Sequence, residues 1–269
     1  MFKTRLLSGI MLVIIAILTV GTGGGVLFST LLIISLIGMT ELYKVFNIEK
    51  KAPGIAGYIY AIAFYVMMLI KDTLPENVNW FLMLFMLFVI TMMLIMVFGY
   101  PDYSTTQIFA AFFGFFYIPI MLSFIYSTRM LEQGKFIVWL VFFCSWGADT
   151  CAYCAGMLFG KHKMAPKLSP KKSVEGGIGG VLGASLLAAI YAVCINKFGG
   201  ADVSMVSFAI IGAVAGAISM VGDLAASAIK RFHDIKDYGK LIPGHGGIMD
   251  RFDSVIITAP IIYYLAVLL

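Results

Sequence analysis

The chain is poor in charge. Only 12% of its 269 residues are Asp, Glu, Lys or Arg, about half the share of a soluble domain. With 61% hydrophobic residues, a chain of this length has more apolar surface than a soluble fold can bury. Cysteine is scarce too, with four residues at positions 144, 151, 154 and 194, all in or beside apolar stretches. Cys151 and Cys154 form a lone CxxC. A zinc or redox site would need a second ligand pair or a soluble βαβ setting, and neither is present. These thiols therefore read as small buried hydrophobes. There is no internal repeat and no low-complexity segment. The longest polar loop, about 223–253, is too short to form a core of its own. The first 20 residues begin basic and continue apolar, like a signal peptide. No small-x-small cleavage site follows, so they read as a retained first membrane helix. The glycine-rich run at 21–25 lacks the following Lys-Ser/Thr and helix of a nucleotide loop and reads as a tight turn. No nucleic-acid partner is expected.

What is abundant is apolar sequence in runs of roughly 20 residues, enough to cross a hydrocarbon core. Nine candidates occur, near 5–21, 25–43, 54–70, 79–99, 107–127, 135–157, 177–196, 203–222 and 254–269. If the amino terminus is cytosolic, fifteen of the nineteen Lys and Arg residues fall on the cytosolic side. Lys71, Arg129, Lys135 and Lys197 fall on the other. That asymmetry obeys the positive-inside rule. The expected fold is all-α and polytopic, with about nine spans, a cytosolic amino terminus and the lipid bilayer as its solvent. Residues 1–130 read as amino-terminal transmembrane helices, and 131–269 as a carboxy-terminal transmembrane catalytic region with a cytosol-facing polar site.

Two polar stretches fall on the same predicted face, 149–177 and 222–253. Asp149 lies inside an apolar span, where a charge costs roughly 2.5–3.5 kcal/mol. It is either a packing residue with a polar neighbour or part of a polar cavity, and Tyr153, one turn on, could bond it. Asp223 ends the eighth predicted span. If that helix continues, Ser227, Lys230 and Arg231 share its face. Asp250 and Asp253 stand at the start of the last span, where Asp253 and Ser254 could serve as its amino-terminal residues. Carboxylates from two helix ends make a hard oxygen site suited to Mg²⁺, which is held by one or two carboxylates plus substrate phosphates. Between them lies Ile242-Pro243-Gly244-His245-Gly246-Gly247, whose glycines let backbone N–H groups approach an anion. His245 is either a surface loop histidine or a contact to a phosphate or leaving group. In the basic run, Lys161, Lys163 and Lys167 fit either orientation or attraction to anionic lipid. Ser169 to Ser173 is more pointed: Pro and Ser can cap the next helix while Lys171 and Lys172 face a phosphate. His162 and His233 read as solvated loop residues.

Ser227 to Asp253 resembles the phosphatidate cytidylyltransferase motif over 27 consecutive positions without a break. Ser169-Pro170-Lys171-Lys172, Glu175-Gly176 and Asp149 with Ala152-Tyr153 resemble the same family. The likeness is confined to the carboxy-terminal half. Two positions depart from it. Ala226 stands where the family commonly has an acidic residue, and Cys151 where it often has a small one.

The resemblance implies that CTP and phosphatidic acid react to give CDP-diacylglycerol and pyrophosphate. It implies a membrane-embedded homodimer that uses Mg²⁺, together with a monovalent cation such as K⁺. Asp223 and Asp250 match the family's metal positions. On that expectation Lys230, Arg231, Lys236 and Arg251 clamp phosphate oxygens, and His245 meets the leaving group. Lys171 and Lys172 steer CTP or grip pyrophosphate, and Asp149 lines the lipid-head cavity. Ser227, Asp237 and Asp253 complete the substrate-binding set. A bacterial plasma membrane is the expected location. Two alternatives remain at this point: a CTP-dependent polyprenol or phytol kinase, releasing CDP, and a secondary transporter using Asp149 and Asp223 as coupling carboxylates.

Overall fold

The computed structural model describes residues 2–269, with side chains from Leu7 onward. Lys3 and Arg5, which contributed to the orientation argument, lie outside the described side chains. The helices are α1 (Phe2–Thr22), α2 (Gly24–Val45), α3 (Ala52–Ile70), α4 (Trp80–Phe98) and α5 (Thr105–Arg129). They continue with α6 (Gly134–Phe159), α7 (Val174–Gly199), α8 (Met205–Phe232) and α9 (Met249–Leu268). Eight of them, α2 to α9, are long and apolar enough to cross a membrane; Leu7–Thr22, within α1, is a shorter apolar helix. The protein is an all-α polytopic membrane protein.

Local chemistry sets several boundaries. Ser104 and Gln107 form a reciprocal capping box at the start of α5. The Ser173 hydroxyl accepts from Gly176 N at 3.1 Å and starts α7, and Gly200 ends it in the left-handed conformation at φ 63°. Two π-helical turns interrupt the long helices, Phe116–Ile120 within α5 and Phe143–Gly147 within α6. The second lies immediately before Asp149. Such turns shift the helical face that follows, and they are common at functional sites.

The helices carrying the polar stretches pack through small residues. On α7, Gly176, Gly180, Ala184, Ala188 and Ala192 recur every fourth position and are all buried. Lipid supplies no hydrophobic force between helices, so close van der Waals approach has to hold them together. At Gly212 on α8, an added Cβ would stand 2.6 Å from the Ala184 carbonyl oxygen and 2.8 Å from Ala188 Cβ. The α7–α8 hairpin therefore depends on backbones in near contact.

Three features differ from the sequence reading. Helix α8 runs ten residues past the predicted end of its span, to Phe232, and α9 starts five residues early, at Met249. The polar connection between them thus shrinks to residues 233–248. The basic segment between α6 and α7 folds into a two-stranded antiparallel hairpin, β1 (Lys163–Ala165) with β2 (Ser169–Ser173). Ser169 and Pro170 belong to β2, and the helix cap is Ser173 alone.

Candidate active site

The two polar stretches meet at one end of the bundle. Lys172, on β2, forms an ion pair with Asp223 on α8. The hairpin is held in place by Glu175, in the first turn of α7, which accepts from Lys161 N at 3.1 Å and His162 N at 3.2 Å. His162 Nδ1 also lies 2.6 Å from Glu175 Oε1, so this exposed histidine has a structural partner.

At the start of α9, Asp250 is only 6% exposed. Its Oδ1 accepts from Lys230 Nζ at 2.9 Å. Its Oδ2 accepts from Tyr238 N at 2.8 Å and Gly247 N at 2.9 Å. Tyr238 is itself fixed, its hydroxyl donating to the Ala226 carbonyl at 3.0 Å. The position where the family commonly carries an acid is here a fully buried alanine whose backbone anchors the loop. Asp223 and Asp250, paired in the sequence argument, thus engage different lysines. The early start of α9 also corrects the expectation for Asp253: it sits inside the helix, where its Oδ1 accepts from Ser254 N at 2.8 Å. The helix's free amide groups are met by Asp250 and by Glu41 of α2, whose carboxylate accepts from Ile248 N at 3.0 Å and Met249 N at 2.8 Å.

Asp149 faces Ser254 and the charges of Asp223, Lys172 and Arg251. Asp253 stands within electrostatic reach of Asp223, Asp149 and Lys230. Three carboxylates from α6, α8 and α9 therefore share one neighbourhood with three cations. Gly222 makes this possible: a Cβ there would stand 2.8 Å from the Asp253 carbonyl oxygen, so α8 and α9 come together one residue before Asp223. Tyr153 is 69% exposed, and no hydrogen bond joins it to Asp149 among the described residues. Also among the described residues, no group of three or more His, Cys, Asp or Glu is arranged to hold a metal ion.

Three cavities open around these groups. The first, about 490 Å³, is polar and lined by Lys236, Asp237, Lys240, His245 and Arg251. The second, about 360 Å³, has a polar end at Asp149, Lys171, Lys172 and Asp223. Its other wall is apolar, formed by Tyr153, Met157, Met164 and Met220. The third, about 460 Å³, lies between them and contains Asp149, His245, Asp250, Arg251 and Asp253. Arg251 lines the first and third, and Asp149 the second and third. Arg251 Nε is buried without an acceptor among the described residues. Ser227 and Arg231 lie on α8 as expected but line none of these cavities, and Arg231 is exposed.

Three participants were not anticipated. Glu41 lies 207 positions from the backbone it holds; as a carboxylate inside the predicted span 25–43 it carries the same local signal as Asp149, which the sequence reading did not apply to it. Ser8 Oγ donates to the Pro243 carbonyl at 3.1 Å and lies 2.7 Å from His245 Nδ1, which brings α1 over the motif loop. Tyr117, in the first π-helical turn, places a buried hydroxyl within electrostatic reach of Asp253 and Asp223.

A model of the cytidylyltransferase family matches residues 3–269, nearly the whole chain. The chain belongs to that family. A phosphatidate cytidylyltransferase of Staphylococcus epidermidis is 30% identical over 270 residues, spanning 98% of this chain and 99% of its own. One from Staphylococcus aureus is 31% identical over 274 residues with the same coverage. One from Rickettsia typhi is 32% identical over 188 residues, 68% of this chain and 82% of its own. The likeness thus extends through the amino-terminal helices, beyond the half in which the motifs lie. Together with the apolar helices, these bacterial relatives place this cytidylyltransferase family member in a bacterial plasma membrane.

Proposed function

We propose that the protein transfers the cytidylyl group of CTP to phosphatidic acid, giving CDP-diacylglycerol and pyrophosphate. We place the cavity-bearing end in the cytosol, count α1 as a ninth span with its amino terminus on that side, and take the working unit to be a homodimer. The observation that carries the reading is the pair of unlike cavities joined through Arg251 and Asp149. The polar one suits a triphosphate, and the half-apolar one suits a phosphate with acyl chains behind it.

A phosphate monoester has a second pKa near 6, so the lipid phosphate is already largely ionised at neutral pH and requires no strong base. One of its oxygens forms a bond to the α-phosphorus of CTP as the bond to the β-phosphate breaks, and pyrophosphate leaves with the electron pair. The protein's work is to bring polyanions together and neutralise them. Lys236 and Arg251 grip the triphosphate, and Arg251 brings a guanidinium nitrogen that has no acceptor among the described residues. Lys171 and Lys172 hold the lipid phosphate at the polar end of the second cavity, with Tyr153 and Met157 along the acyl chains. Asp149 and Asp253 orient the cations between the two substrates. Asp237 and His245 line the nucleotide side, and His245 meets the leaving pyrophosphate. Lys230 acts through Asp250. Ser227 and Arg231 have a weaker claim on this geometry.

The donor set fits a magnesium ion of the kind that binds mainly to substrate phosphates. Among the described residues Asp223 bonds only Lys172, and Asp250 Oδ1 only Lys230, so each retains lone pairs. Asp223 and Asp250 would hold the ion, which when bound supplies positive charge against the triphosphate oxygens. A companion K⁺ is carried over from the family resemblance.

The polyprenol or phytol kinase and the transporter are not favoured, because the matched relatives are named for cytidylyl transfer. Assay of the soluble product tests the choice. Pyrophosphate release with phosphatidic acid supports transfer, and CDP release supports a kinase. A single species of twice the chain mass in nanodiscs supports the dimer.

A further inference from the structure

Glu41 is 5% exposed, in the part of the chain without recognisable motifs. Its two oxygens accept from consecutive backbone amides, Ile248 N and Met249 N, immediately before Asp250. Gly247 N, the preceding amide, goes to Asp250 Oδ2. Two carboxylates thus take up three successive N–H groups at the positive end of α9. No ion pair joins Glu41 to a cation among the described residues, although the charge of Lys44 lies within reach. Its charge is therefore met chiefly by the backbone it holds. Space is reserved for it as well: side chains at Gly239 or Gly247 would collide with the Glu41 carboxylate. Gly239 lines the polar cavity, and Gly247 N donates to Asp250.

We infer that Glu41 is a positioning residue for the transfer reaction. It fixes the first turn of α9 from α2, so that Asp250 meets Lys230 and Arg251 stands between the cavities. This rests on the reading of that segment as the active site. The geometry demands a carboxylate. A glutamine of the same shape offers one acceptor oxygen and turns an NH₂ donor toward the second amide, so one N–H loses its partner. Aspartate keeps both acceptors but is shorter by a methylene.

The test uses full-length protein in nanodiscs, comparing wild type with Glu41→Gln and Glu41→Asp. Turnover is measured per folded protein, and amide hydrogen exchange is followed across residues 238–252. For Glu41→Gln, kcat falls by about 10- to 100-fold, the scale of a misplacement near 1 Å. The KM values for CTP and phosphatidic acid stay within about threefold, since the substrates are bound by other side chains. Glu41→Asp recovers part of the loss. Exchange of the 247–249 amides accelerates in the glutamine variant, while the α7–α8 hairpin is unchanged. The inference is overturned by a glutamine variant with kcat within about twofold of wild type, or with unchanged exchange at 247–249. It is also overturned if neither variant folds, because Glu41 would then support the whole fold. A wild-type protein that fails to release pyrophosphate sinks the functional reading instead, and the exchange result still decides whether Glu41 holds the turn.

Discussion

Lys230 Nζ donates to Asp250 Oδ1 at 2.9 Å, with side chains only 14% and 2% exposed. The pair joins the last turn of α8 to the first turn of α9 and lies beside the loop carrying the family's signature. Its depth gives it consequences that a surface ion pair would lack. Removing one partner of a buried pair leaves an uncompensated charge, at a cost of about 3–5 kcal/mol.

Asp250→Ala should therefore lower the thermal midpoint markedly and abolish turnover. Asp250→Asn keeps the shape and one carbonyl oxygen, so it should insert and fold while losing more than about 100-fold in kcat. Thermal melts and pyrophosphate release on the same preparation check both variants. Near-normal turnover of purified Asp250→Asn would remove Asp250 from the chemistry and from any magnesium site.

Lys172 and Asp223 form a shallower pair, with side chains 25% and 27% exposed. The Lys172 Nζ is itself buried, and its loss leaves Asp223 near Asp149 and Asp253 with one cation fewer, so Lys172→Ala should lower stability, by less than the deeper Asp250 variants do. Its effect should appear as a raised KM for phosphatidic acid, read from a titration of the lipid in mixed micelles. An unchanged KM would assign Lys172 to holding Asp223 and not to gripping a phosphate.

The cavities make opposite predictions for the two substrates. Met157→Asp places a charge on the apolar wall of the second cavity and should raise the KM for phosphatidic acid alone. Lys236→Ala withdraws a cation from the first cavity and should raise the KM for CTP alone. Steady-state titration of each substrate at saturation of the other checks the pair; exchanged effects would reverse the assignment.

Gly222→Ala would drive a methyl against the Asp253 carbonyl, at 2.8 Å if nothing moved. Separating α8 from α9 next to Asp223 should cost about 1–3 kcal/mol in stability and about tenfold in kcat. Gly21→Ala, whose Cβ meets nothing within 4 Å, is the control and should match wild type in both thermal melt and turnover.

Much of this was legible in the sequence because bilayer length and apolar composition are local properties. The runs that became α2 to α8 were placed to within a few residues at most of their ends; Asp149 was singled out by the cost of a charge inside an apolar span, and Asp223 and Asp250 by their places at helix ends and their match to the family's metal positions. Where the reading failed, the cause was remote contact. The start of α9 was placed too late because the residues that satisfy its first amides include Glu41, 208 positions from Met249. The β1–β2 hairpin was read as a basic loop ending in a helix cap, since its strands are short and lysine-rich and the segment just before β1 is held by Glu175. Asp223 and Asp250 read as one pair from spacing and family likeness. Side-chain geometry adds a lysine to each, Lys172 and Lys230, which sequence alone does not encode.

The central claim is that the α-phosphorus of CTP ends up on the lipid. The most direct test is to incubate the purified protein with phosphatidic acid, Mg²⁺ and CTP labelled at either the α- or the γ-phosphate, then extract the lipids. The account predicts α-label in a nucleotide-bearing lipid, with γ-label in free pyrophosphate. Label from the γ-position in the lipid with CDP in solution, or no label in lipid from either position, would contradict it.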